Sequence, residues 1–181
     1  MIILLTGESG CGKTTLCARV VAAFNARGAD VAGVLTLPRF ANGEKIGMDA
    51  EDVRTGARVA LAERAARGAG TADLKWKFDD AALARGAQML RAAPPCDLLV
   101  VDELGPLELL HGAGWIDALD ILRAGNYRAA LVVVRPSLIE NFRARVNLGL
   151  QVVTLTAANR EEAFNQIVAT LNSQNSANSR K

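Results

Sequence analysis

The chain has 181 residues, half of them hydrophobic, and a formal net charge of +2. That size suits one compact domain with a sizeable core, and the small charge excludes a strong polyelectrolyte pull on DNA or RNA. Only 4% of residues are aromatic, which argues against a base-stacking platform, and the apolar runs are too short to cross a bilayer.

Taken in chain order, Ile2-Ile3-Leu4-Leu5-Thr6 reads as a buried parallel strand. No basic leader precedes it, so a signal peptide is not expected and the expected compartment is the cytoplasm. Gly7-Glu8-Ser9-Gly10-Cys11-Gly12-Lys13-Thr14 follows at once, with Thr15 behind it. This is G-x-x-x-x-G-K-T, a phosphate-binding loop between a strand and a helix. Gly7, Gly10 and Gly12 let the backbone close round an anion, and loop N–H groups with the helix N-terminus then face phosphate oxygens. Lys13 adds a charge that reaches the β- and γ-phosphates, and Thr14 offers a hydroxyl to Mg2+. Leu16, Val20, Val21 and Phe24 continue at helical spacing, with Gly28 as the stop.

Val31–Leu35 reads as a second strand. Thr36 to Ala62 carries the turn signals Asn42-Gly43 and Thr55-Gly56 and predicts a small antiparallel hairpin or flap. Lys75–Phe78 predicts a short strand, and Asp79 caps a helix through Leu90 that ends before Pro94-Pro95. Strands at Asp97–Val101, Ala130–Val134 and Val152–Leu155 alternate with helices at Trp115–Leu122, Pro136–Arg145 and Asn159 to about Leu171. The alternation predicts an α/β fold whose mainly parallel sheet is flanked by helices, with the hairpin as an insertion. Residues 1–171 form one domain on this reading, and the polar stretch 172–181 is expected to be disordered. Cys11, Cys17 and Cys96 match no zinc spacing and read as free thiols in a reducing compartment, and the lone His111 as a surface turn residue.

Leu98-Leu99-Val100-Val101 ends in Asp102, an acid at the strand edge where open α/β sheets hold ligands, so Asp102 is the second Mg2+-linked residue. Glu103, next to it, can aim and polarise an attacking water. Glu108 fits a structural role better. A cationic side chain must also meet the transition state, and Arg135, Arg143 and Arg145 are the candidates, with Arg135, directly after a strand, preferred.

Three segments resemble the nucleoside-triphosphatase family first known from thermophiles and often called cancer-related NTPases. They are Gly7 to Leu16; Gly33-Val34-Leu35-Thr36 with Gly43 to Asp49; and Val101-Asp102-Glu103-Leu104-Gly105-Pro106-Leu107-Glu108-Leu109, close to the family's D-E-I-G-x-M-E-L. Thr156 to Arg160 resembles a fourth, T-x-x-N-R. The resemblance implies a P-loop NTPase fold and Mg2+-dependent hydrolysis of ATP, GTP and other nucleoside triphosphates. It assigns phosphate binding to Gly12, Lys13 and Thr14, metal to Asp102, water to Glu103, and the base to Asn159 and Arg160. Lys45 stands where the family commonly has arginine, and Thr36-Leu37-Pro38-Arg39 lacks a usual glutamate. Two alternatives stay open: a nucleotide or small-molecule kinase, and a slow nucleotide-dependent accessory switch acting through a protein partner. No nucleic-acid or membrane partner is expected.

Overall fold

The computed structural model describes residues 1–65 and 76–178. Among the described residues eight strands form one sheet in the order β5-β4-β3-β2-β6-β7-β1-β8. β1 (Ile2–Thr6), β6 (Cys96–Leu104), β7 (Tyr127–Val134) and β8 (Leu150–Thr154) run parallel, and β2 (Val31–Ala41) pairs parallel with β6. β1 is buried along its whole length because both of its faces are covered. Ile3 and Leu5 pack with α1 (Lys13–Asn25), while Ile2 and Leu4 point into the opposite cluster. Each such side chain withdrawn from water contributes about 1.5–3 kcal/mol. α1 and α6 (Arg160–Asn178) cover one face; α2 (Asp80–Ala92), α4 (Asp117–Ala124) and α5 (Ile139–Val146) cover the other. No helix among the described residues is long and apolar enough to cross a membrane.

The expected hairpin is larger than its turn signals implied. β2 runs on past the parallel region to Ala41, turns at Asn42-Gly43, and returns as β3 (Glu44–Asp52). Both turn residues have positive φ, 50° and 78°, the geometry that matches the twist of a tight hairpin. β4 (Arg58–Arg64) and β5 (Trp76–Phe78) extend the antiparallel half, so the insertion is a wing of the main sheet and not a separate flap. Lys75, expected in the last of these strands, lies outside the described residues.

Other boundaries shift for local reasons. β6 continues through Asp102 and Glu103 to Leu104, with an irregularity in its pairing to β7 between Val101 and Leu104. α3 (Pro106–Leu109), a single turn, follows it. Asp79 caps α2 as expected, its Oδ1 accepting from Ala82 N at 2.8 Å. Pro136–Leu138 forms a 3-10 turn before α5, because α5 proper starts only at Ile139. α6 passes the expected end at Leu171 and reaches Asn178; no Gly or Pro interrupts that stretch. Residues 179–181 of the expected tail lie outside the described residues.

Glu108, buried at 5% exposure, holds the segment after β6 in place. Its two carboxylate oxygens accept from Gly105 N at 2.9 Å and Trp115 N at 3.0 Å. Trp115 is thereby seated against α2, where its Nε1 donates to Leu83 O at 3.1 Å. Its ring lies so close to Gly86 that a Cβ there would meet it at 2.5 Å. Gly to Ala inside a helix ordinarily stabilises by about 1 kcal/mol. At this position overpacking reverses the sign: Gly86→Ala lowers stability by about 1–3 kcal/mol, read from denaturant unfolding.

Candidate functional site

The phosphate-binding loop spans the C-terminal end of β1 and the first turn of α1. Gly7, at φ 147°, packs so tightly that a Cβ would lie 2.3 Å from Leu155 O, so the loop rests directly on the end of β8. Gly12, at φ 104°, opens α1, and its carbonyl accepts from Leu16 N at 2.9 Å. Lys13 Nζ donates to the Gly7 and Glu8 carbonyls at 2.6 and 2.8 Å, spanning the loop, with Cys11 Sγ 3.9 Å away. Ser9, Gly10, Gly12, Lys13, Thr14 and Thr15 line a cleft of about 880 Å³. Gly7, Glu8 and Cys11 shape the loop without lining the cleft. A smaller hollow, about 230 Å³ beside Gly28 and Asp97, contains none of the candidate residues.

Asp102 and Glu103 enter the same cleft from β6, which is not adjacent to β1: β7 lies between them. Both acids sit on the irregular stretch of β6, and Glu103 has φ 81°. In a regular strand consecutive side chains point to opposite faces. A bulge with one left-handed residue re-aims them, at a backbone cost of about 1–3 kcal/mol.

Asp102 is buried at 1% exposure. Its Oδ2 accepts from Thr36 N at 3.1 Å and lies 3.0 Å from Thr36 Oγ1, at the point where β2 leaves the parallel region. Oδ1 has no hydrogen-bond partner among the described residues. Burial pushes this carboxyl up to about 6, against the pull of the Thr36 and Thr14 groups, and the nearby Glu103 charge pushes the same way as burial. A buried carboxylate with one oxygen anchored and one unengaged, near the Thr14 hydroxyl, is a hard-oxygen donor set that fits a small divalent cation.

Glu103 is held by Arg135, which follows β7 and so stands between β6 and β1. Arg135 Nη2 and Nε both donate to Glu103 Oε1, at 2.5 and 3.2 Å. The two side chains are 31% and 47% exposed, so the pair orients Glu103 more than it stabilises the fold. Arg143 lies on α5, paired at 3.9 Å with Glu140, and Arg145 gives its carbonyl to Arg123; neither lines the cleft.

Asn159 and Arg160 also lie outside the cleft lining. Asn159 ties the turn before α6: Oδ1 accepts from Thr156 N at 2.7 Å and Nδ2 donates to Thr154 O at 2.9 Å. Arg160 Nε donates to Cys11 O at 3.1 Å, so its guanidinium flanks the phosphate loop on the β8 side.

Three contributors had no role assigned from sequence. Thr36 and Lys45 stood only as positions of the family resemblance. Lys45, on β3, faces the cleft; burial lowers its pKa, while Glu103 and Asp102 oppose that shift. Trp76 and Phe78 on β5 and Trp115, distant from them in sequence, line the same cleft. Cys17 is buried and its thiol is pushed well up by burial, so it is inert packing, and none of the three cysteines is disulfide-bonded.

Residues 2–168 match the model of a protein family described as NTPase. The nucleoside-triphosphatase THEP1 of Methanopyrus kandleri is 31% identical over 173 residues, covering 92% of each chain. That of Thermococcus kodakarensis is 30% identical over 174 residues, covering 92% of this chain and 91% of its own. Among solved structures, a human cancer-related nucleoside triphosphatase superposes with TM-score 0.74 at 24% identity, covering 94% of this chain and 97% of its own. THEP1 from Aquifex aeolicus superposes with TM-score 0.62 at 20% identity, covering 94% and 99%. These two likenesses establish the P-loop fold.

The raised pKa of Asp102 makes a checkable statement about the protein without nucleotide or metal. The folded state holds this proton more tightly than the unfolded chain, whose Asp titrates near 3.8. Stability from this group is therefore full below about pH 4 and lost as pH rises through about 6. Asp102→Asn removes that component: its melting temperature at pH 7.5 is no lower than wild type, and the decline between pH 4 and 6 is shallower in paired thermal scans.

Proposed function

The chain belongs to the NTPase family, and on that premise we propose that it hydrolyses nucleoside triphosphates, ATP and GTP among them, to the diphosphate and inorganic phosphate with Mg2+. The observation that carries the reading is the unengaged Oδ1 of buried Asp102, which shares one cleft with Lys13 and Thr14 and stands beside the oriented Glu103.

The site residues then take distinct tasks. The loop N–H groups and Lys13 hold the β- and γ-phosphates, since the ammonium has three protons and the loop carbonyls engage two. Thr14 and Asp102 would hold Mg2+, which supplies charge neutralisation on the phosphate oxygens. Among the described residues no group of three or more His, Cys, Asp or Glu gathers, which suits an ion bound largely by substrate phosphate and water. Glu103 aligns a water with the γ-phosphorus and accepts its proton. Arg135 fixes the Glu103 carboxylate and brings positive charge to the transferring phosphoryl. Asn159 keeps the loop before α6 in shape, and Arg160 meets the base on the β8 side.

Phosphate release and nucleotide binding separate these tasks. Lys13→Ala weakens binding and lowers turnover by about 100-fold or more. Glu103→Gln keeps nucleotide affinity within a few-fold and lowers turnover by about 10²–10⁴-fold. Wild-type rates in Lys13→Ala reject the site, and wild-type rates in Glu103→Gln move the base elsewhere.

A further inference from the structure

The cleft has two unlike ends. At one end lie the phosphate loop, Asp102 and Glu103. At the other, the antiparallel wing and α2 bring together Phe40, Trp76, Phe78 and Trp115, four of the chain's eight aromatic side chains, over a floor of Met48 and Leu61. Trp76 and Phe78 alternate with exposed Lys77 on β5, so the edge strand turns two rings to the same face. A cleft of this volume matches sites that enclose a whole drug-sized ligand, and a triphosphate engages only its polar end.

The strand order fixes which end receives the nucleoside. On the function proposed above, the β- and γ-phosphates fall between Lys13 at the start of α1 and Asp102 near the end of β6. The wing lies beyond β6, and β8 lies on the other side of β1. With the γ-phosphate facing β6, the nucleoside runs toward β8 and Arg160, away from the aromatic chamber.

Charge supplies the second observation. Among the described residues four cationic side chains line the cleft, and three are engaged. Lys13 is bonded to loop carbonyls, Arg135 to Glu103, and Arg64 to Glu44 at 2.9 Å. Lys45 has no carboxylate within ion-pair distance among the described residues; its Nζ lies over the Trp76 ring, 4.9 Å from the centroid. A half-buried ammonium on a flat aromatic surface is the complement of a flat molecule with one negative group.

We propose that this chamber is a second small-molecule site, which holds a flat aromatic anion beside the γ-phosphate at the same time as the nucleotide, its anionic group on Lys45 and its ring against Trp76 and Phe78. The assignment of the other end to a nucleotide rests on the function proposed above.

The test is isothermal titration of the full chain, saturated with a non-hydrolysable ATP analogue and Mg2+, with three probes. Quinoline-2-carboxylate is flat and anionic, 2-methylquinoline is flat and neutral, and cyclohexanecarboxylate is anionic but not flat. Quinoline-2-carboxylate binds at least about tenfold more tightly than the other two. Lys45→Met erases its advantage over 2-methylquinoline, and Trp76→Ala weakens both flat probes. Equal binding of all three overturns the proposal, as does no binding of quinoline-2-carboxylate at about 10 mM. Expulsion of the probe by the nucleotide analogue also overturns it, since the chamber would then belong to the nucleotide. Failure of the analogue itself to bind counts against the proposed function, and the same three titrations without nucleotide still decide the chamber.

Discussion

A carboxylate buried at the floor of the cleft sets the terms for everything around it. Taking an ionised Asp out of water costs several kcal/mol unless other groups replace the solvent. Thr36 replaces it for one oxygen of Asp102 through its N–H and hydroxyl, and nothing among the described residues does so for the other. On the proposed function the residual cost is offset when the cation binds, so a site that weakens the empty fold strengthens the loaded one. The sheet order serves this arrangement. β6 delivers the acids, β1 the phosphate loop, and β7 between them delivers Arg135 to hold Glu103.

Rigidity of the loop comes from packing beneath it. Gly7 lies against the Leu155 carbonyl, Arg160 grips the Cys11 carbonyl from α6, and the buried face of α1 is fixed by Leu16, Val20 and Phe24. On the proposed function the N–H groups therefore meet the phosphates without first losing much conformational freedom, and a preorganised donor set needs little rearrangement when charge shifts in the reaction.

Much of this was legible because the physics is local. The phosphate loop is contiguous, so its glycines, Lys13 and Thr14 declare themselves in eight residues. Asp102 stands out because an acid after four apolar residues has few explanations other than the edge of a buried strand. Glu108 also read correctly, as a structural carboxylate. The bulge at Glu103 was hidden, since both pairing schemes satisfy the same hydrophobic run. The aromatic wall was hidden for a different reason: long-range antiparallel pairing brings Phe40, Trp76 and Phe78 to the cleft, contacts to Glu108 and Leu83 seat Trp115 there, and no periodicity within one segment reports either. Asn159 illustrates the converse, with a motif position whose side chain is committed to its own turn. The length of α6 was misjudged because polarity was read as a stop, whereas helices end at Gly, Pro or a cap.

The left-handed backbone at Glu103 has an evolutionary consequence. Glycine would occupy that conformation with no steric penalty, and asparagine with little. One nucleotide change in a GAA or GAG codon yields GGA or GGG, so the most accessible substitution relaxes the chain while discarding the carboxylate. On the proposed function, a lineage released from selection for turnover would drift readily toward a sturdier, inert nucleotide binder, and a glutamate retained here would record continuing use of the chemistry.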